Sequence, residues 1–179
     1  MRVITGIAKG KRLKPLDSMD VRPTTDRVKE AVFSAIQFDI EGRVFLDLFA
    51  GSGQMGIEAL SRGAKFAYFV DSSPEAIKIC NQNLSTTGFT DCSMVVRRDA
   101  NSFLCGLNEK IDIAFLDPPY KTGLLVDIAL KTITVMKDSG ILICEHPLDE
   151  NLPESLDNFN LFRKYRYGKI CISIYKKDI

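Results

Sequence analysis

Asp117-Pro118-Pro119-Tyr120 is the stretch of this sequence best equipped to do chemistry. Two consecutive prolines have no backbone donors and fixed φ angles, so the segment is stiff and presents carbonyl oxygens. An exocyclic amino group on a nucleic-acid base offers two N–H donors and a delocalised, weakly nucleophilic lone pair. If the Asp117 carboxylate and the Pro118 carbonyl each accept one N–H, the nitrogen is held with its lone pair aimed in one direction. Group transfer to that nitrogen needs alignment more than a strong base, because attack makes the amine acidic. Tyr120 can stack on a base that has left its helix or loop. The plain alternative is a proline-rich turn closing a strand.

A second motif lies upstream. Gly51-Ser52-Gly53-Gln54-Met55-Gly56 fits G-x-G-x-x-G between a predicted strand and a predicted helix. The usual occupant of such a loop is a pyrophosphate at a helix N-terminus. Asp47, four positions before Gly51, argues against that, since a carboxylate there repels a pyrophosphate. It suits an ammonium or sulfonium group, and S-adenosylmethionine carries both. Asp71 closes the next strand, where an acid can accept from both ribose hydroxyls. Asp99 follows the third and could accept from an adenine amino group. Each acid alone could equally be a helix N-cap. Together, Asp47, Asp71, Asp99 and Asp117 fall at the carboxyl ends of four consecutive predicted strands, the ligand-binding edge of an open parallel sheet.

The elements that must position these residues alternate between strand and helix. Predicted strands cover 44–49, 66–70, 93–96, 111–116 and 140–144. Helical spacing follows the glycine loop as far as Gly63, runs from Pro74 to near Gly88, and returns over 124–136. This order argues for an α/β fold with a mostly parallel sheet. The runs 159–167 and 169–175, separated at Gly168, predict an antiparallel C-terminal hairpin. Residues 2–7 and 12–14 predict a small N-terminal β-hairpin around Gly10. A helix follows, with Thr24 or Thr25 as N-cap and an apolar stripe of Val28, Val32 and Ile36. A single domain is expected, with residues 1–40 as a basic N-terminal extension and 41–179 as the catalytic core.

Composition narrows the classes. Of 179 residues, 45% are hydrophobic and 26% charged, which is ordinary for a soluble domain. No apolar run approaches the length of a membrane span, and charges recur early enough to exclude a secretory h-region. Cys80, Cys92, Cys105, Cys144 and Cys171 are scattered and form no C-x-x-C pair, so reduced structural thiols in a cytoplasmic protein are expected. With His146 as the one histidine, no metal site is expected. The net charge of +1 conceals basic ends, +4 over residues 1–30 and +5 over 159–179, around an acidic middle. That pattern suits flanks that hold a polyanion and a centre that holds a cation.

The motifs resemble a known family. Leu46-Asp47-Leu48-Phe49-Ala50-Gly51-Ser52-Gly53 and Asp117-Pro118-Pro119-Tyr120 resemble class I amino-methyltransferases. Arg2-Val3-Ile4-Thr5-Gly6, Lys9-Gly10-Lys11-Arg12-Leu13, Arg22-Pro23-Thr24-Thr25-Asp26-Arg27-Val28, Leu60-Ser61-Arg62-Gly63-Ala64 and Glu145-His146 resemble the RsmD family of bacterial ribosomal-RNA guanine-N2 methyltransferases. The resemblance implies a Rossmann-like, mostly parallel seven-stranded sheet with helices on both faces. It implies methylation of a guanine N2 amino group in small-subunit ribosomal RNA with S-adenosylmethionine as donor. A monomer is expected, with the RNA free or within the ribosomal subunit as its partner. The resemblance assigns the donor's methionine end to Asp47, Phe49, Ala50 and Gly51-Ser52-Gly53, its ribose to Asp71 with Ser72, and its adenine to Asp99 with Ala100. The target base falls to Asp117, Pro118, Pro119 and Tyr120. Many relatives carry Glu where Asp71 stands. Lys9, Lys11, Arg12 and Arg22, in the basic extension, are expected to bind RNA.

Three other readings compete. One is a DNA adenine-N6 or cytosine-N4 methyltransferase, or an adenine-N6 enzyme acting on RNA, since Asp-Pro-Pro-Tyr also serves adenine; for DNA, the basic extension leaves little room for a sequence-reading domain. A non-catalytic nucleotide-binding module would not need Asp117 and Tyr120. An NAD-dependent oxidoreductase is opposed by Asp47 and by the lack of a catalytic Tyr-x-x-x-Lys or histidine signal. His146 is expected to be a capped loop residue rather than an acid or base.

Overall fold

A computed structural model describes residues 1–16, 25–119 and 123–177. Its centre is β1 (Val44–Leu48) and β4 (Ile111–Leu116), which lie side by side and are buried at every position. That continuous burial explains why both read as unbroken apolar runs, since helices cover both faces of the sheet. From β1 the chain steps outward through α2 (Gln54–Ser61), β2 (Phe66–Asp71), α3 (Pro74–Thr87) and β3 (Ser93–Arg97). It then crosses back through α4 (Ala100–Gly106) to β4, and continues by α5 (Leu125–Thr134) to β5 (Met136–Pro147). These five strands are parallel. The strand order therefore reverses between β1 and β4, and at such a switch point the carboxyl ends leave a crevice.

The antiparallel end consists of β6 (Ser155–Leu156), β7 (Phe159–Tyr167) and β8 (Ile170–Lys177). The sheet order is β3-β2-β1-β4-β5-β8-β7-β6. The predicted C-terminal hairpin is β7 and β8, turning at Gly168 with φ of 62°. β6 is a two-residue eighth strand that no alternation in the sequence announces.

One apolar cluster joins the sheet to α1 (Asp26–Ala35), α2 and α3, and the other joins it to α4 and α5. Neighbouring strand residues divide between them: Phe45, Phe115 and Ile143 face the first, and Leu46, Leu116 and Cys144 the second. Thr25 caps α1 through Val28 N, and Ser73 caps α3 with Pro74 in the first turn.

The N-terminal extension departs from a regular hairpin. Its strands meet in one isolated bridge, Arg2 with Arg12. Its anchor is the carboxylate of Glu58 on α2, which accepts from the N–H groups of Ile4 (2.8 Å) and Thr5 (2.9 Å). Lys29 of α1 pairs with Glu58 at 3.3 Å, both side chains fully buried, and Arg62 closes the set at 2.9 Å. A buried charge needs this full complement. Sequence spacing also missed α4, a seven-residue helix of about two turns whose mixed composition carries little periodicity, and placed the start of β5 too late. Lys137, Asp138 and Ser139 of β5 are exposed and polar, so they read as a loop.

Candidate active site

Asp47, the fourth residue of β1, is 2% exposed, and its Oδ2 accepts the Gly56 N–H of α2 at 2.9 Å. Burial pushes its carboxyl up to about 7; the Gly56 bond opposes the shift and the charge of Asp71 adds to it. Beyond Asp47 the backbone is forced into a tight reversal. Phe49 has φ of 72°, unusual for a bulky residue, and the N–H groups of Phe49 and Ala50 both bond Val70 O. The glycines then divide their work. A Cβ on Gly56 would lie 2.3 Å from the Phe69 ring, so that position is needed for α2 to approach β2. A Cβ on Gly51 would meet nothing within 4 Å, so the loop faces open space there.

Asp71, at the end of β2, fixes this loop. Its Oδ2 accepts from Gly51 N and its Oδ1 from Ser73 N, both at 2.9 Å. Each oxygen keeps a lone pair for a further donor. Ser72 beside it is exposed. Asn83 of α3 braces the far side, donating to Ser52 O at 2.8 Å and to Lys14 O at 3.0 Å. Asp99 is the N-cap of α4, accepting Ser102 N at 2.9 Å, and Ala100 begins that helix. Asp99 therefore fills the capping role open to it from sequence, and its exposure leaves it accessible to a ligand as well.

Across the switch point, Asp117 follows β4 and is partly exposed, Pro118 is buried and Pro119 exposed. The Asp117 carboxyl is held well above the usual carboxylate range, by burial first, then by the charges of Glu145 and Asp47. Glu145, on β5 and 1% exposed, is thus a member of the site to which sequence reasoning gave no role. The signal was available: it is another acid at the end of an apolar run, Ile141 to Cys144. His146 is in β5 rather than a loop, fully buried, with its ring nitrogens against Ser173 Oγ and Pro147 O.

Of the residues assigned to the donor and the target base, Asp47, Asp71 and Asp117 with the glycine loop converge on the crevice. Tyr120 and Arg22 lie outside the described residues. Lys9 is exposed, Lys11 donates to Thr87 O at 3.0 Å at the carboxyl end of α3, and Arg12 lines an open depression with Lys14 and Gln82. Among the described residues no group of three His, Cys, Asp or Glu could hold a metal, and no helix is long and apolar enough to cross a membrane.

A parallel sheet with acids and a glycine loop at its switch point, extended by an antiparallel hairpin, is the class I methyltransferase fold. Comparison with known proteins gives the family. The model described as "Conserved hypothetical protein 95" matches residues 1–176. A Bacillus subtilis (strain 168) protein named "Putative rRNA methyltransferase YlbH" is 41% identical, with 99% of each chain covered. The Escherichia coli (strain K12) protein named "Ribosomal RNA small subunit methyltransferase D" is 33% identical, covering 99% of this chain and 90% of that one. The solved structure named "Putative methyltransferase yhhF from Escherichia coli" matches with a TM-score of 0.89 at 32% identity, over 99% of this chain and 98% of that one. The chain belongs to the RsmD family, the family its motifs resemble.

Proposed function

We propose that this protein transfers a methyl group from S-adenosylmethionine to the exocyclic N2 amino group of a guanine in small-subunit ribosomal RNA, in the cytoplasm. The observation that carries the reading is the cluster of carboxyl groups at the switch point, with Asp47 and Glu145 buried and Asp117 half-buried beside them. Asp47 and Asp117 are driven toward their neutral forms by burial and by other acids, with no Lys or Arg bonded to either among the described residues. Such a site favours a cationic ligand and opposes a polyphosphate.

The residues fit the donor. Asp47 would face its ammonium, the open side of Gly51 would admit its methionine end, Asp71 would accept from its ribose and Asp99 from its adenine. When bound, S-adenosylmethionine supplies an electrophilic methyl group. Asp117 and the Pro118 carbonyl accept the two N–H bonds of the guanine amino group and turn its lone pair toward that methyl. Attack on that methyl would break the donor's S–C bond and release the neutral thioether S-adenosylhomocysteine; the nitrogen would become positive, and the Asp117 carboxylate would stabilise that charge until a proton leaves to it or to water. Tyr120 stacks on the base, and Lys9, Arg12 and Arg22 contact RNA phosphates, while Lys11 is held at the carboxyl end of α3. The names of the relatives support the ribosomal substrate.

The test is mass spectrometry of small-subunit ribosomal RNA nucleosides from a strain lacking the gene, before and after it is restored. Loss and recovery of one N2-methylguanosine is expected. Loss of N6-methyladenosine instead would assign the site to adenine, and an unchanged nucleoside profile would overturn the reading.

A further inference from the structure

The sheet edge beside the crevice carries charges and rings that the donor site does not use. β7 runs parallel to β5 with β8 between them, so its Tyr167 end lies toward the same edge as Glu145. Tyr165 pairs with Ile172 and Arg163 with Ile174, which places their side chains on the face shared with α1. The Tyr165 and Tyr167 rings are stacked, 6.4 Å apart between centroids with planes differing by 29°. Both rings are half-buried, backed by the α1-side core, and the Arg163 guanidinium donates to the Tyr165 hydroxyl at 3.2 Å. Exposed Arg27, on α1, lies near enough to Tyr167 for its charge to be felt there.

The charges along β7 and β8 are divided by position. Residues 158–177 contain six basic side chains and no acid. At the far end Lys176 pairs with Asp39 at 3.3 Å and Lys177 with Asp138 at 2.7 Å. At the near end Arg163, Lys164, Arg166 and Lys169 have no ion pair among the described residues. Positive charge is therefore neutralised away from the crevice and left open beside it. A ring pair flanked by open cations is the surface that single-stranded nucleic acid recognises, by stacking its bases and pairing its phosphates.

We propose that the single-stranded RNA flanking the target base runs along β7, a neighbouring base stacking on the Tyr165–Tyr167 pair and phosphates meeting Arg27 and Arg163. This rests on the RNA reading above. The competing account is that the cations only protect an exposed edge strand from pairing with another chain.

The experiment uses small ribosomal subunits purified from a strain lacking the gene as the methyl acceptor. Methyl transfer is compared for the parent, Tyr165→Ala/Tyr167→Ala and Tyr165→Phe/Tyr167→Phe, with donor saturating. Stacking lost from one base predicts a rise in KM for the subunit of roughly tenfold or more with kcat within about threefold, and the Phe pair should restore KM to within about threefold. A KM for the Ala pair within about twofold of the parent would leave β7 as a protected edge and overturn the proposal. If the Ala pair does not melt cooperatively, Arg27→Gln/Arg163→Gln decides: both residues are exposed, and losing two phosphate contacts should flatten the log–log salt slope of RNA binding by about 1.4. An unchanged slope would overturn the proposal. A parent that methylates no small-subunit RNA would instead sink the functional reading itself, and this one with it.

Discussion

Asp47 and Asp112 are buried carboxylates on adjacent strands, 2% and 4% exposed, and their surroundings are opposite. Asp112, at the amino end of β4, accepts from Val44 N at 3.0 Å, Arg43 Nη1 at 3.1 Å and Lys137 Nζ at 2.9 Å. Burial alone would raise its carboxyl, but these partners outweigh it and hold it below its ordinary value. Asp47, near the carboxyl end of β1, has the Gly56 N–H and acidic neighbours, and is pushed up to about 7. One edge of the sheet is electrostatically closed and the other is left open. That the fold satisfies an acid with two cations at one edge, and does not at the other, supports the proposal that the second site takes its counter-charge from a ligand.

The largest effect should come from Asp117. In single-turnover methyl transfer to the RNA, Asp117→Ala should slow the chemical step about 10²–10³-fold, the usual cost of removing a preorganised partner for developing charge. Donor binding should change little. Turnover within a few-fold of the parent would reduce Asp117-Pro118-Pro119 to a structural turn.

Donor affinity is the next test. Asp47→Asn should weaken S-adenosylmethionine binding about 10–100-fold by calorimetry, through loss of a charge-assisted contact of about 1.5–3 kcal/mol. The parent should also show a pH dependence that Asp47→Asn lacks. A cationic donor binds best to ionised Asp47, whose carboxyl lies at about 7 in the free protein. Affinity should therefore fall as pH drops below about 7, by up to tenfold per unit, with a proton released on binding. Equal pH profiles for the two proteins would remove Asp47 from the donor site.

The fold was largely legible because its signals are local. Fully buried β1 and β4 show as unbroken apolar runs, Pro74 announces α3, and Gly168 marks the β7–β8 turn. The acids at strand ends were legible for the same reason, each being defined by the run before it. What escaped depends on distance in sequence. Glu58 joins Ile4, Thr5, Lys29 and Arg62, and Asn83 joins Lys14 to Ser52; no spacing encodes either set. The closed state of Asp112 is equally hidden, since its cations come from β5 and from the residue before β1.

Stability should separate the two acids by sign. Asp112 has a lowered carboxyl, so its contribution is present above the unfolded value and is lost as pH falls through the folded one. Asp112→Asn should thus destabilise at neutral pH, by about 1–2 kcal/mol, since Arg43 and Lys137 are partly solvated. Asp47 has a raised carboxyl: the folded state binds the extra proton, and stability from this group declines as pH rises from about 4 to about 7. Asp47→Asn should therefore stabilise the ligand-free protein at pH 8, by about 1–2 kcal/mol, and do less at pH 5. Denaturant melts at both pH values check this, and the same sign for both variants would dissolve the contrast.

The same distinction between closed and open charges applies, more weakly, to the basic extension. Lys11 donates to Thr86 O at 3.4 Å and Thr87 O at 3.0 Å, carbonyls left over at the carboxyl end of α3. A cation there gains about 0.3–1 kcal/mol from the helix dipole. Lys11→Gln should lower the melting temperature by about 1–3 °C. Lys9 is exposed, and no bond to its side chain stands among the described residues. Lys9→Gln should leave the melting temperature alone and flatten the salt slope of RNA binding by roughly 0.7–0.9. Measuring both quantities on both variants separates the roles. If Lys11→Gln melted like the parent and flattened the slope as much as Lys9→Gln, Lys11 would be a phosphate contact first, and its bonds to α3 incidental.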